Sequence, residues 1–213
     1  MQNLHFYVEY GAMGFEIFLR NPYKKYKRSF YMPKFTVKVI VASGIGAALF
    51  FVVGRFASIP SPVPNTFISL QYAILGLFAV LFGPIAGILV GFVGHALIDF
   101  TGPWGLWWSW IIASGFVGLI LGFSYRTINI ESGKFGKAQI IKFNVAQVIA
   151  HLIAWLAIAP TLDILIYAEP ANKVFTQGAF AAGSNIVTTG IVGTLLLIAY
   201  AKTVVEKGSL KRE

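Results

Sequence analysis

The feature that most constrains this chain is a series of apolar runs, each about as long as a bilayer is thick. A helix of roughly 20 apolar residues spans the hydrocarbon core. The 213-residue sequence offers six such runs, at 36–57, 67–83, 84–100, 106–125, 138–159 and 177–201. Gly83-Pro84 divides what would otherwise be one longer run, because proline suits a first helical turn and breaks a helix elsewhere. Only 12% of residues are charged, against about 25% in soluble domains. The expected fold class is an all-α membrane protein with six transmembrane helices.

Lys and Arg give the orientation. With the N-terminus inside, the inner segments hold Arg20, Lys24, Lys25, Lys27, Arg28, Lys34 and Lys38, then Arg126, Lys134, Lys137 and Lys142, then Lys202, Lys207, Lys211 and Arg212. Only Arg55 and Lys173 fall on the outer side. This asymmetry predicts that both termini are cytoplasmic. The net charge of +9 sits at the ends of apolar runs, so a nucleic-acid partner is not expected. There are no cysteines, which excludes disulfides and thiolate metal sites. Residues 1–31 read as a basic, aromatic extension ("NPYKKYKRSFYM") suited to an anionic inner leaflet, with no signal-peptide pattern. Met32 is an alternative start. Residues 32–205 form the expected membrane domain and 206–213 a short cytoplasmic tail.

Three outer connections follow from this topology. The first, "SIPSPVPNT" at 58–66, alternates Pro60, Pro62 and Pro64. Proline fixes φ and removes donors, so this segment is expected to be stiff and extended. Asn65, Thr66 and Gln71 supply hydrogen-bonding groups where the chain re-enters lipid. The segment reads either as a solvated turn or as a lid over an outward-facing pocket. The second connection leads into "DFTGPWGLWWSW", where Trp104, Trp107, Trp108 and Trp110 are four of the five tryptophans. An interfacial belt explains some of them. Trp104 and Trp108 would share a face of a helix and offer flat surfaces to a planar conjugated ligand. The third connection, 160–176, is read as a long loop carrying Asp163, Tyr167, Glu169, Asn172 and Lys173. It is either functional or an interfacial amphipathic segment.

Polar residues inside membrane helices face protein or a cavity. His95 and Asp99, four apart, share a face of the third helix. Asn144, Gln147, His151 and Trp155 form one stripe on the fifth, its inner members suited to helix–helix contact. Gln177, Ser184, Asn185 and Thr188 lie in the outer half of the sixth. These sets converge on the outer half of the bundle, and their ligand-binding candidates are His95, Asp99, His151, Trp155, Ser184 and Thr188. A metal site would need His151 as a third ligand, and an intramembrane serine hydrolase has little support, so no enzyme activity is expected. On the first helix, "KVIVASGIGAALFF" places Ala42, Ser43, Gly44, Gly46, Ala47 and Ala48 at four-residue spacings. Such residues let another helix approach closely, either within the bundle or from a second membrane protein. No Walker motif occurs, so any ATPase would be a separate chain.

The stretches "VASGIGAALF", "IPSPVPNTFISLQYAILGLFAVLFGPIAG", "GFVGHALIDF" and "YAEPANKVFTQG" resemble the substrate-binding S components of energy-coupling-factor (ECF) vitamin importers, in their riboflavin-type, cobalamin-like branch. The resemblance covers most of 34–201. It implies six helices with both termini inside, and an outward-facing pocket for a vitamin, cobalamin or riboflavin, closed by the first and third outer loops. It also implies a transmembrane coupling protein and two cytoplasmic ATPases as partners, with the small-residue face of the first helix docking on the coupling protein. The nickel and cobalt members of the wider class carry a histidine second in the chain. Here that position is Gln2, or Pro33 if Met32 is the start, which argues against a metal ion as cargo. The alternative is a self-sufficient proton-coupled secondary transporter using Asp99 or His151, although the two similar halves common in such transporters are lacking.

Overall fold

The computed structural model describes residues 35–204, together with the backbone of two short strands near the N-terminus. The chain divides into two units, Met1–Met32 and Pro33–Glu213. In the first unit β1 (Tyr7–Val8) pairs antiparallel with β2 (Ile17–Phe18). The remainder of the expected extension and the expected tail at 206–213 lie outside the described residues.

The described part of the second unit is a bundle of six principal helices. The first, Val37–Phe56, begins where the Thr36 hydroxyl accepts the Val39 N–H at 3.3 Å, an N-cap that ends the preceding extended chain. A hairpin follows: β3 (Ile59–Pro60) pairs antiparallel with β4 (Phe67–Ile68). The second helix is Gln71–Phe82, and the third, Pro84–Thr101, follows after Gly83, whose φ of 86° makes the turn and whose neighbour Pro84 opens the new helix. The fourth is Trp108–Phe123. The fifth runs continuously over Lys137–Tyr167 and the sixth over Ala171–Thr203.

Five of these helical stretches are long and apolar enough to cross a membrane. The second helix is shorter than expected. Its 12 residues reach only ~18 Å at 1.5 Å per residue, because Phe67 and Ile68 are taken into the hairpin. The expected loop at 160–176 is also corrected. The fifth helix extends to Tyr167 and the sixth begins at Ala171, so only Ala168, Glu169 and Pro170 connect them. A mid-helix proline has no N–H to give and crowds the carbonyl behind it. Here a wide π-turn at Ala154–Ile158 immediately precedes Pro160 and lets the helix continue past it. Ala168, in the left-handed conformation with φ of 54°, then ends it.

Small residues set the closest helix contacts. A Cβ built on Gly87 would lie 2.0 Å from the Gly118 carbonyl oxygen, and one on Gly118 equally close to the Gly87 carbonyl oxygen. The third and fourth helices therefore meet backbone to backbone. The same stripe logic places much of the first helix. Ala42, Ser43, Gly46 and Ala47 are buried in the bundle, and a Cβ on Gly46 would meet Val90 at 2.6 Å and Phe78 at 2.8 Å. Gly44 and Ala48 face outward, beside exposed Val41, Ile45, Leu49 and Val52. Only those two of the six candidate docking residues are on the outer surface. The fifth and sixth helices are joined by amides: Asn144 donates to the Thr194 hydroxyl at 3.0 Å and Gln147 to the Ile186 carbonyl at 3.2 Å.

Candidate functional site

All six helices and the hairpin contribute, at one end of the bundle, to the wall of a cavity of about 460 Å³. The hairpin lies over it, held by its own polar side chains. The Ser61 and Thr66 hydroxyls share a short hydrogen bond, Thr66 Oγ1 donates to the Val63 carbonyl at 2.7 Å, and the Ser61 N–H donates to the Thr66 carbonyl at 3.1 Å. Asn65 takes a positive φ of 59° at the tip, a conformation that asparagine tolerates better than most residues. The hairpin is tied to the sixth helix by Gln177, whose Nε2 donates to the Pro64 carbonyl at 2.9 Å.

Tryptophans form the walls, and carboxylates orient them. Asp99 accepts the Trp104 indole N–H at 2.8 Å and the Trp107 backbone N–H at 3.0 Å. Asp163 accepts the indole N–H of Trp107 at 2.6 Å and of Trp110 at 2.8 Å, together with the Ser109 hydroxyl. Trp155 donates its indole N–H to His151 Nδ1 at 3.0 Å. All four indoles thus have their one polar group occupied, by charge-assisted bonds in three cases. Asp99 is 3% exposed and Asp163 1%, so each carboxylate is buried among these donors. At the floor Tyr72 packs edge-on against Trp155, centroids 5.6 Å apart, and hydrogen-bonds Ser114 at 2.7 Å. At the rim Lys173 pairs with Glu169 at 2.7 Å, and Arg55 reaches the Thr101 carbonyl at 3.4 Å.

Eight of the ligand-binding candidates lie on this wall: Asn65, Thr66, Gln71, His95, Asp99, Trp104, Trp155 and Lys173. The others do not line it. His151 is fully buried behind Trp155, its Nε2 paired with Thr189 at 3.2 Å. Trp108 is half-exposed beside Phe92, and Tyr167 stacks on Trp107 at 4.2 Å while accepting the Trp108 backbone N–H. Trp104 and Trp108 do not share a helical face, because the helix begins only at Trp108. Asn172 is exposed in the first turn of the sixth helix. The hydroxyls of Ser184 and Thr188 turn back to the Ala181 and Asn185 carbonyls. Residues outside the candidate set join the wall, among them Tyr72, Trp107, Trp110 and Asp163. The signal for Asp163 is an acid inside the apolar "TLDILIY". Among the described residues no three of His, Cys, Asp and Glu come together as metal ligands would. Flat indole faces with a few convergent polar groups are features that small-molecule pockets share.

Comparison with known sequences decides the family. The family described as ECF-type riboflavin transporter, S component, matches residues 34–202. The chain belongs to this family. S components are the substrate-binding membrane subunits of ECF transporters, and they work with an ECF coupling protein and ATPases. This S component is therefore a multi-pass protein of the bacterial membrane. It is 57% identical over 182 residues to a UPF0397 protein of Exiguobacterium sp., covering 85% of this chain and 100% of that relative. A UPF0397 protein of Clostridium perfringens is 54% identical over 180 residues, covering 84% of this chain and 97% of its own. A Staphylococcus aureus UPF0397 protein is 52% identical over 178 residues, with the same coverage. No solved structure matches the chain.

Proposed function

We propose that this S component captures riboflavin, or a flat heterocycle of its size, in the cavity beneath the hairpin and delivers it for ATP-driven uptake by a complex of one coupling protein and two ATPases. The observation that carries this reading is the cavity itself, about 460 Å³ and walled by indoles whose N–H groups are already bonded. Such indoles offer their faces and not their N–H groups, which favours stacking of an electron-poor ring system. The volume falls within the ~300–1,000 Å³ range of small-molecule pockets. A tricyclic flavin is of a size to enter such a pocket. The family description points the same way. The basic residues at the opposite helix ends support a cavity that opens outward.

Titration of the purified full chain with riboflavin tests the reading. Riboflavin is expected to quench tryptophan emission saturably at one molecule per chain, and an excess of cyanocobalamin is expected to leave that titration unchanged. Displacement of riboflavin by cyanocobalamin would transfer the assignment to the larger vitamin. Unaltered emission with both would overturn the proposal.

A further inference from the structure

At the cavity floor the hydrogen-bond partners can be assigned proton by proton. Ser114 is fully buried, with its Oγ 2.5 Å from His95 Nδ1 and 2.7 Å from the Tyr72 hydroxyl. A serine hydroxyl has one proton to give, and a neutral imidazole carries one N–H. Two arrangements satisfy these contacts. In the first, Tyr72 donates to Ser114, Ser114 donates to a bare Nδ1, and the imidazole proton sits on Nε2. In the second, Nδ1–H donates to Ser114, Ser114 donates to Tyr72, and Nε2 is a bare lone pair.

Asp99 decides between them. Its Oδ1 lies 3.7 Å from His95 Nε2. A lone pair facing a carboxylate is repelled, whereas an N–H facing it is attracted. At 3.7 Å the two are nevertheless too far apart to hydrogen-bond. Both carboxylate oxygens are already engaged, one by the Trp104 indole and one by the Trp107 backbone N–H. His95 Nε2 therefore carries a proton that faces Asp99 at 3.7 Å but has no acceptor within hydrogen-bond distance among the described residues, on a side chain that lines the cavity.

We propose that His95 presents a fixed Nε2–H donor to the cavity, and that cargo is selected for an acceptor oxygen, a ring carbonyl of a planar heterocycle, at that point. The proposal rests on the reading of this cavity as the cargo site. Ser114 and Tyr72 are positioning residues: they occupy Nδ1 and so fix which nitrogen faces the ligand. A ligand without the acceptor would leave the donor buried and unpaired, a loss of about tenfold or more in affinity.

The test uses riboflavin and its 2-thio and 4-thio analogues, since sulfur accepts hydrogen bonds weakly while the ring shape is nearly kept. Wild-type protein is expected to bind one of the two thio analogues about tenfold more weakly than riboflavin. His95→Leu is expected to bind all three ligands alike. His95→Gln, which restores an N–H donor, should recover the preference, and Ser114→Ala should blunt it. Equal binding of all three by the wild type would overturn the proposal without any variant having to fold. Retention of the preference by His95→Leu would overturn it as well. Absence of riboflavin binding by the wild type would overturn the cargo reading and this inference together. Tight riboflavin binding without carbonyl discrimination would sink the inference alone.

Discussion

Two glycines show what a single side chain does here. Gly118 touches the Gly87 backbone, so Gly118→Val must push the third and fourth helices apart. It is expected to destabilise the bundle by about 3 kcal/mol or more, read as a lower thermal midpoint in detergent. Gly44 has nothing within 4 Å of where its Cβ would lie. Gly44→Leu should leave the midpoint unchanged and reduce co-purification with the coupling protein, if the outward face of the first helix docks there. An unchanged midpoint for Gly118→Val, or undiminished partner recovery with Gly44→Leu, would contradict these assignments. The stripe of small residues on the first helix is legible in the sequence, but its inward side is not. That side is chosen by Phe78 and Val90, which a distant part of the chain supplies to Gly46. Asp163 is hard to place for the same reason. It stands alone among apolar residues in sequence, and its three donors come from residues more than 50 positions earlier.

At the scale of elements, the hairpin is the part with most to do. Pro60, Pro62 and Pro64 limit the conformations of the open segment, so closing it over a ligand costs less entropy than closing a flexible loop. Replacing all three with Gly should speed riboflavin release about tenfold, an effect of ~1–2 kcal/mol, with little change in thermal midpoint. Gln177→Leu, which cuts the bond to the Pro64 carbonyl, should act in the same direction. Stopped-flow release at the wild-type rate in both variants would reduce the hairpin to a stiff turn. The stiffness is legible from the prolines alone. The pairing of Ile59–Pro60 with Phe67–Ile68 is not, because two-residue strands carry no alternation to read. Pro160 and Pro170 mark a loop in the sequence, yet only Pro170 stands at a helix boundary, since the wide turn ahead of Pro160 accommodates its ring.

The whole molecule joins a membrane-spanning bundle to a cavity at one end. The bundle is legible because each long helix carries its own apolar signal within one continuous run. The cavity is less legible because its wall draws on residues from Gly54 to Asn185, brought together only by folding. His95 and Asp99 are recognisable as one face of one helix, whereas the donor role of His95 depends on Ser114 of the next. The chain belongs to a family of substrate-binding subunits that work with a coupling protein and ATPases. On the proposed function the labour is divided: this chain holds the cargo, and separate chains supply the work. The direct measurement is accumulation of labelled riboflavin in proteoliposomes containing this chain, with and without its coupling protein and ATPases. The chain alone is expected to bind riboflavin without accumulating it, even under a proton gradient, and ATP-dependent accumulation is expected when the partners are present. Accumulation by the chain alone, driven by the proton gradient, would contradict this division of labour and identify a self-sufficient transporter.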